Sequence, residues 1–142
     1  MKAKTIIGKS QDVTRNWHLI DLSGQTLGRA ATQIASLLMG KDKKDFSYHL
    51  DQGDFVIAIN AKEIQVTGKK AKTKLYHHYT GYAGNLRTFT FGELMTKDPR
   101  LVISTAVAGM LPKNKLRADR LRRLKIFVDA NHPHADNLKK EE

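Results

Sequence analysis

The sequence predicts a three-layer α/β domain, and two patterns indicate it. The first is a strand, an amphipathic helix and a buried strand in succession between residues 17 and 60, which form a βαβ unit. The second is the alternation of helix signals with short apolar strand signals along the rest of the chain. At 142 residues the chain can bury its own core. We therefore expect one domain, with residues 1–14 as an N-terminal arm and residues 135–142 as a C-terminal tail.

The βαβ unit is predicted from the spacing of its apolar residues. WHLID at residues 17–21 is a short strand signal that a Ser-Gly turn closes. LGRAATQIASLLM at residues 27–39 has the apolar periodicity of a helix, and Gly40 suits a position just past its C-terminus. DFVIAIN at residues 54–60 is almost continuously apolar, which is typical of a parallel strand covered on both faces. The predicted helix stripe comprises Leu27, Ala31, Ile34 and Leu38.

Two later helices are predicted from their N-terminal residues. Thr90 and Glu93 match a capping box. Asp98-Pro99 places an N-cap residue before a first-turn proline, and the helix should continue to about Ala108. Its apolar stripe is predicted to comprise Val102, Ala106 and Met110.

The remaining elements are predicted to be short. Extended segments are expected at residues 63–66 and 74–79, with a basic turn at residues 67–70 between them. After Pro112, a short helix from about Asn114 and a final strand at residues 125–129 complete the alternating pattern.

Positive charge is concentrated in one part of the chain. The protein has 25 basic and 14 acidic residues, a net charge of +11, and residues 67–125 hold 14 of the basic residues but 3 of the acidic ones. A localised positive field indicates a polyanionic partner. Residues 109–125, GMLPKNKLRADRLRRLK, place basic side chains on all sides of a short helix. An interfacial membrane helix needs a cleaner apolar face, so this segment favours RNA.

Several classes of site are excluded or disfavoured. Without cysteine, the chain has no disulfide, thiolate zinc site or cysteine nucleophile. GQTLGR at residues 24–29 lacks the spacing of a phosphate-binding loop, and no G-x-S-x-G or H-E-x-x-H motif is present. The histidines at residues 77–78 and 132–134 have no carboxylate at a recognised ligand spacing. No segment approaches the ~20 apolar residues of a membrane span. We therefore expect no cofactor, metal, small-molecule substrate or membrane partner.

Residues 69–87, KKAKTKLYHHYTGYAGNLR, carry the strongest indication of RNA binding. Lysine and arginine neutralise phosphates, flat rings stack on unpaired bases, and glycines let a backbone approach closely. The alternative is a solvated hairpin with ordinary surface tyrosines.

The ordered motifs resemble one known family, the L-thirteen family of bacterial large-subunit ribosomal proteins. The resemblance covers residues 17–134. It is carried by W-x-x-x-D at 17–21, TLGRAA-x-x-IA at 26–35, GKDKK at 40–44, DQGDFVIAINA at 51–61, VTGKK at 66–70, KLYHHYTGYAGNL at 74–86, AVAGMLPKN at 106–114 and LRRLKIFVDANHPH at 121–134.

The resemblance implies an α/β/α domain with a four-stranded, mainly parallel sheet. It also implies a structural, non-catalytic component that binds large-subunit (23S) rRNA early in subunit assembly, among neighbouring large-subunit proteins. The location would be a ribosome in the cytoplasm or in an organelle. The chain departs from the family pattern at Ser47-Tyr48, at Arg117 and in the tail after residue 134.

The predicted RNA-binding residues combine the basic and aromatic stretch at 69–87 with positions that the resemblance implies. Two other classes are the alternatives: an RNA-modifying enzyme on an α/β scaffold and a DNA-binding architectural protein. The predicted RNA-binding residues are Lys41, Lys43, Lys44, Lys69, Lys70, Lys74, Tyr76, His77, His78, Tyr82, Arg87, Lys113, Lys115, Arg117, Arg120, Arg122, Arg123, His132 and His134.

Overall fold

The structure is a computed structural model that describes residues 13–138. Most of the predicted N-terminal arm and the end of the tail therefore lie outside the described residues. The strands are β1 (Trp17–Asp21), β2 (Phe55–Ile59), β3 (Leu75–Tyr79), β4 (Leu86–Thr90) and β5 (Leu124–Ile126). The helices are α1 (Leu27–Met39), α2 (Lys70–Thr73), α3 (Phe91–Lys97), α4 (Pro99–Met110), α5 (Arg117–Arg122) and α6 (Ala135–Leu138), with a 3-10 turn at Ala61–Glu63.

The structure confirms the α/β class. Residues 13–138 do not form the expected four-stranded sheet. The main sheet has three parallel strands in the order β1–β2–β5. β3 and β4 form a separate antiparallel hairpin. The hairpin can form because a short loop joins its strands, whereas a fourth parallel strand would need a long crossover connection. The hairpin therefore projects as a unit of its own beside the sheet.

One face of the main sheet carries the apolar core. The register places Ile20 beside Ala58 on this face, and α1 and α4 pack together over it. The predicted α1 stripe is confirmed, since all four of its residues are buried. The predicted α4 stripe is wrong at Met110, which is 48% exposed. Contact with α1 selects a different face of α4, whose buried residues are Pro99, Val102, Ile103 and Val107.

The opposite face of the sheet is covered by the C-terminal segment. Trp17 stacks on Phe55 with ring centroids 4.3 Å apart, and His134 stacks on Trp17 at 5.5 Å. The next residue, Ala135, begins α6, which packs against β1. Ile57 is fully buried and shares this face with Phe55. The third layer is therefore this short segment, while α1 and α4 both pack on the other face.

The helix ends follow the predicted signals. Gly40 adopts the left-handed conformation (φ 75°) that ends α1. Thr90 and Glu93 form the capping box of α3, and the Asp98 carboxylate accepts a hydrogen bond from the Arg100 backbone N–H at the start of α4. Gly53 is required by close packing, since a β-carbon there would lie 1.7 Å from the Leu38 carbonyl oxygen. This contact holds the segment before β2 against the end of α1.

Candidate nucleic-acid interface

The β3–β4 hairpin presents two different faces. Residues that pair directly in an antiparallel register point to the same side. Tyr76 pairs with Phe89, and His78 pairs with Arg87, so these four side chains share the face that turns toward α3 and α4. The other face carries no lysine, arginine, aspartate or glutamate. Its residues, mostly exposed, are Leu75, His77, Tyr79, Leu86, Thr88 and Thr90.

A basic groove lies between the hairpin and the two long helices. It has a volume of about 990 Å³ and is bounded by the start of α1, the end of α4 and the segment from α2 into β3. Arg29, Lys70 and Lys74 line it, and no aspartate or glutamate does. The Lys74 Nζ atom lies 5.3 Å from the centroid of the Tyr76 ring, which is a cation–π contact. We call this space the α1–α4 groove.

A second, smaller groove lies on the inner side of the hairpin. Its volume is about 520 Å³. Its lining combines His77, His78 and Arg87 with both charged and apolar side chains from α3 and α4, namely Leu94, Lys97, Asp98 and Leu101. Tyr76 borders both grooves, and its hydroxyl group is buried without a hydrogen-bond partner in the described part of the chain. Burial raises the pKa of Tyr76, so its hydroxyl keeps its proton at neutral pH.

Most of the predicted basic residues are exposed and form no salt bridge within residues 13–138. Lys69 and Lys70 lie at the start of α2, Lys74 precedes β3 and Arg87 lies in β4. Tyr82, in the hairpin loop, is 75% exposed. Their role in RNA binding stays a prediction. The other exposed lysines of the predicted set are Lys41, Lys44, Lys113 and Lys115.

The structure does not bring all of these lysines together. Lys41 and Lys44 follow the C-terminus of α1, whereas the α1–α4 groove is at its N-terminus. A helix of 13 residues is about 20 Å long. The two ends of α1 therefore present separate basic patches.

Arg120 and Arg123, unlike most of the predicted basic residues, are buried and pair within the chain, and their role in RNA binding stays a prediction. Their exposed fractions are 2% and 5%. Arg123 binds Asp51 in a bidentate manner, with both nitrogen–oxygen distances at 2.5 Å. Arg120 Nε lies 3.6 Å from the same carboxylate, and Arg15 reaches it from the surface. Asp51 comes from the segment before β2, a long way along the chain. The two arginines therefore stabilise the contact between α5 and that segment.

Lys43 is also engaged inside the protein. Its ammonium group donates hydrogen bonds to the Thr14 and Gln52 carbonyl oxygens and to Asp54 Oδ1. These three bonds use all three donor hydrogens of a lysine. The Asp54 carboxylate also accepts from the Asn16 backbone N–H and contacts His18. In the described structure Lys43 therefore stabilises the segment before β2, and its role in RNA binding stays a prediction.

Burial and bonding act in opposite directions on the pKa of Asp54. Burial raises it, and the bonds from Lys43, Asn16 and His18 together lower it by more, so the pKa lies below its ordinary value of 3.8. Asp54 is therefore held in its charged form by these partners.

The other predicted residues lie in intermediate positions. Arg117 is half-buried, and its Nε atom has no hydrogen-bond partner in the described part of the chain. Arg122 is 80% exposed in its side chain and pairs with Asp119 one helical turn earlier. His132 and His134 both pack against Phe127, and His134 also stacks on Trp17. The two histidines thus form part of the packing around β1 and β5.

The histidine pairs do not assemble a ligand cluster in the region that the structure describes. Within residues 13–138, no group of three or more His, Asp or Glu side chains could hold a metal ion. In the same range, no helix combines the length and the apolar character needed to cross a membrane.

Sequence reasoning missed two residues that organise the charge. Asp51 was not recognised as the partner of the two buried arginines, because nothing local links residues so far apart. Arg29 was passed over when GQTLGR proved not to be a phosphate-binding loop. Its place in the first turn of α1 could have indicated an anion-facing position.

Comparison with known proteins shows which family the chain belongs to. Residues 15–133 match the family model described as Ribosomal protein L13. The large ribosomal subunit protein uL13 of Vesicomyosocius okutanii subsp. Calyptogena okutanii (strain HA) is 50% identical over 131 residues, which is 92% of each chain. The protein of the same name in Clostridioides difficile (strain 630) is 50% identical, over 93% of this chain and 92% of its own. In Pseudomonas paraeruginosa (strain DSM 24068 / PA7) it is 47% identical over 92% of each.

These matches confirm the resemblance inferred from the ordered motifs, and they cover nearly the same residues. Relatives that are about half identical along almost the whole chain share a family with it. The chain therefore belongs to the ribosomal protein L13 family.

Proposed function

We propose that this chain is a structural constituent of the large ribosomal subunit and binds large-subunit (23S) rRNA. The observation that carries the proposal is the set of exposed cations around the hairpin that have no carboxylate partner. Lys69, Lys70, Lys74 and Arg87 form no salt bridge within residues 13–138, although other cations of the same chain do. The names of the relatives, which describe large-subunit proteins, support the same assignment.

The physical basis is that unpaired cations repel one another in the free protein. Such a cluster gives no stability to the isolated domain. It gains free energy when phosphates approach, because bound counterions are released from the nucleic acid. Tyr82, His77 and His78 add exposed rings to the same region, and rings of this kind stack on unpaired bases. The surface therefore combines neutralisation of phosphate with contacts to bases or sugars.

Binding early in subunit assembly is the next part of the proposal. The described chain has a continuous apolar core between the sheet, α1 and α4. Its buried charges are matched within the chain, as at Asp51 and Asp54. A domain with these features can fold before it meets RNA and then bind as a preformed surface. The exposed apolar side chains on the outer face of the hairpin, Leu75, Tyr79 and Leu86, suit contact with neighbouring ribosomal proteins.

We propose a location in the cytoplasm, on the ribosome, in line with the bacterial relatives. The proposed role is structural and involves no catalysis, cofactor, metal or small-molecule substrate. The chemistry of the α1–α4 groove supports it, since Arg29, Lys70 and Lys74 suit an anion and no Asp, Glu or His lines that groove.

The test measures how binding of the full chain to a large-subunit rRNA fragment depends on salt. Log affinity falls as log salt rises, and each lost phosphate contact reduces the magnitude of this negative slope by about 0.7–0.9. Replacing Lys69, Lys70, Lys74 and Arg87 with Gln should therefore reduce that magnitude by about three units. The melting temperature should stay the same or rise slightly, because like charges are removed.

The control variant carries Lys62→Gln and Arg100→Gln. These cations pair with Asp129 and Asp98 on the surface, so their loss should leave the salt slope unchanged. An unchanged slope in the fourfold variant would contradict the proposed binding surface. A tagged wild-type chain should also co-sediment with large subunits and with their early precursors. Its recovery only as a free monomer would contradict the proposed function.

A further inference from the structure

The α1–α4 groove is built by contacts that fix the start of α1. The Leu27 backbone N–H donates to the Gln65 carbonyl oxygen at 2.8 Å, and Thr26 and Gln65 form an isolated parallel bridge. These bonds hold the first turn of α1 beside residues 65–67, which lead into α2. The last turn of α4 closes the groove on the other side through Gly109 and Met110. The groove is therefore a preformed feature of three adjoining elements.

The groove is suited to a phosphate-bearing ligand. Its three cations, Arg29, Lys70 and Lys74, come from two different walls, and none of them pairs with a carboxylate within residues 13–138. Threonine hydroxyl groups add neutral hydrogen-bonding capacity between the cations. The threonines of the lining are Thr26, Thr32, Thr67 and Thr105.

The first turn of α1 adds to the positive potential. A helix leaves its first N–H groups without intrahelical partners, and its N-terminus carries a partial positive charge. Here the first turn contains no acidic residue, and the N-cap residue Thr26 makes no side-chain capping bond. Arg29 lies in this turn, so its guanidinium group and the helix terminus favour the same anion.

Two glycines of the groove lie within helices, where glycine is destabilising relative to alanine. Gly28 is in the first turn of α1 and Gly109 is in the last turn of α4. A β-carbon at either position would meet nothing within 4 Å. At Gly53, by contrast, the Leu38 carbonyl oxygen leaves no room. The packing of the chain therefore explains glycine at position 53, but not at positions 28 and 109.

We infer that the α1–α4 groove holds the sugar–phosphate backbone of one RNA strand. Arg29, Lys70 and Lys74 bind its phosphates, and Gly28 and Gly109 leave room for its close approach. The inference rests on the proposed function and extends the binding surface from the hairpin to the start of α1. At about 990 Å³, the groove is at the upper end of the ~300–1,000 Å³ range of small-molecule sites, and its cations lie on separate walls. These features favour a strand over a single free phosphate.

The test adds methyl groups to the groove without changing its charge. In the full chain, Gly28→Ala together with Gly109→Ala should raise the melting temperature, because alanine is the better helix former. The same variant should bind the rRNA fragment about tenfold more weakly, an effect similar in size to that of one mismatched base pair in a specific protein–DNA complex. Its salt slope should not change. Arg29→Gln should reduce the magnitude of that slope by about 0.7–0.9.

The matched control is Gly92→Ala. Gly92 is also helical, in α3, and a β-carbon there would meet only the Ala71 carbonyl oxygen, at 3.7 Å. It lies outside the groove lining. This variant should gain thermal stability and keep its affinity for RNA.

Three outcomes separate the inference from the proposed function. In the first, the Gly28, Gly109 double variant keeps wild-type affinity while the fourfold Lys and Arg variant binds more weakly. This result would overturn the groove inference alone. Failure of the wild-type chain to bind any large-subunit rRNA fragment would overturn both. The third outcome concerns free anions. If inorganic phosphate or a mononucleotide raises the melting temperature of the wild type but not that of Arg29→Gln, the groove is a site for a free anion. That result would overturn the strand assignment.

Discussion

Two groups of basic residues in this protein have opposite surroundings. The first group points into the protein: Arg120 and Arg123 pair with the Asp51 carboxylate, and Lys43 pairs with Asp54. Lys69, Lys70, Lys74 and Arg87 are exposed around the hairpin and pair with no carboxylate within residues 13–138. A buried cation needs a partner, because desolvation without one is very unfavourable. The first group therefore stabilises the fold, and the second is available to a ligand.

The comparison shows that charge density along the sequence does not identify a binding surface. Residues 109–125 have the densest positive charge, but two of their arginines are among the most buried charged residues described. Arg123 is separated from Asp51 by 72 residues. Its immediate neighbour Arg122 is exposed and pairs only on the surface. Adjacent arginines at the C-terminal end of one short helix thus have different surroundings.

The largest expected effect is on stability, from removal of the shared carboxylate. Asp51→Ala leaves Arg120 and Arg123 buried without a counter-charge, so the free energy of unfolding should fall by about 3–5 kcal/mol. Urea denaturation of the full chain measures this directly.

The matched variant for Asp51→Ala is Asp119→Ala, which removes the surface partner of Arg122 on the same helix. Exposed pairs contribute little, so this change should lower stability by less than about 1 kcal/mol. Equal effects of the two substitutions would contradict the division into buried and exposed arginines.

A smaller effect, which depends on pH, is expected at Asp54. Its folded pKa lies below the ordinary 3.8, so its charged form stabilises the fold above that pH. Asp54→Asn should lower stability by about 1.5–3 kcal/mol at neutral pH, the typical contribution of hydrogen bonds to a charged group. The difference from wild type should diminish as the pH falls below 3.8, where the native carboxylate takes up its proton.

Thermal or urea unfolding of both proteins between neutral pH and about pH 2–3 measures this convergence, which linkage requires. Asp42→Asn, which changes an exposed carboxylate of the turn after α1, serves as the control and should follow the wild-type curve. A difference between wild type and Asp54→Asn that stays constant across the acid range would contradict the role of the charged form.

The smallest expected effect is on RNA binding by the hairpin loop. Tyr82→Ala should weaken binding to the rRNA fragment by about 1–3 kcal/mol if the ring stacks on a base, with no change in stability. Because stacking releases no counterions, the loss should persist at high salt. The control is Tyr48→Ala. Tyr48 is as exposed as Tyr82, but it lies where the chain departs from the family pattern. Equal losses at both tyrosines would show a general effect of surface rings.

Elements with local signals were predicted well. The α1 stripe, the Gly40 terminus, the Thr90–Glu93 capping box and the Asp98 cap all depend on residues a few positions apart. The α4 stripe was placed wrongly because α1 decides which side of α4 is buried. The four-stranded sheet was an implication of the family resemblance, and β4 entered only through the alternative interpretation of residues 69–87 as a hairpin. Its pairing with β3 depends on how the loop between them closes.

The sequence alone determined the α/β class, the order of most elements, the excess of positive charge in residues 67–125 and the family. These properties depend on composition, on short-range periodicity and on the order of motifs. Only the tertiary structure decided which cations of residues 13–138 pair with a carboxylate of that range and which do not. Ion pairing depends on distances of a few ångströms between atoms, and the fold sets those distances by bringing Asp51 to Arg123 and Asp54 to Lys43. The same folding brought Arg29, Lys70 and Lys74 to the walls of one groove, which their positions in the sequence did not predict.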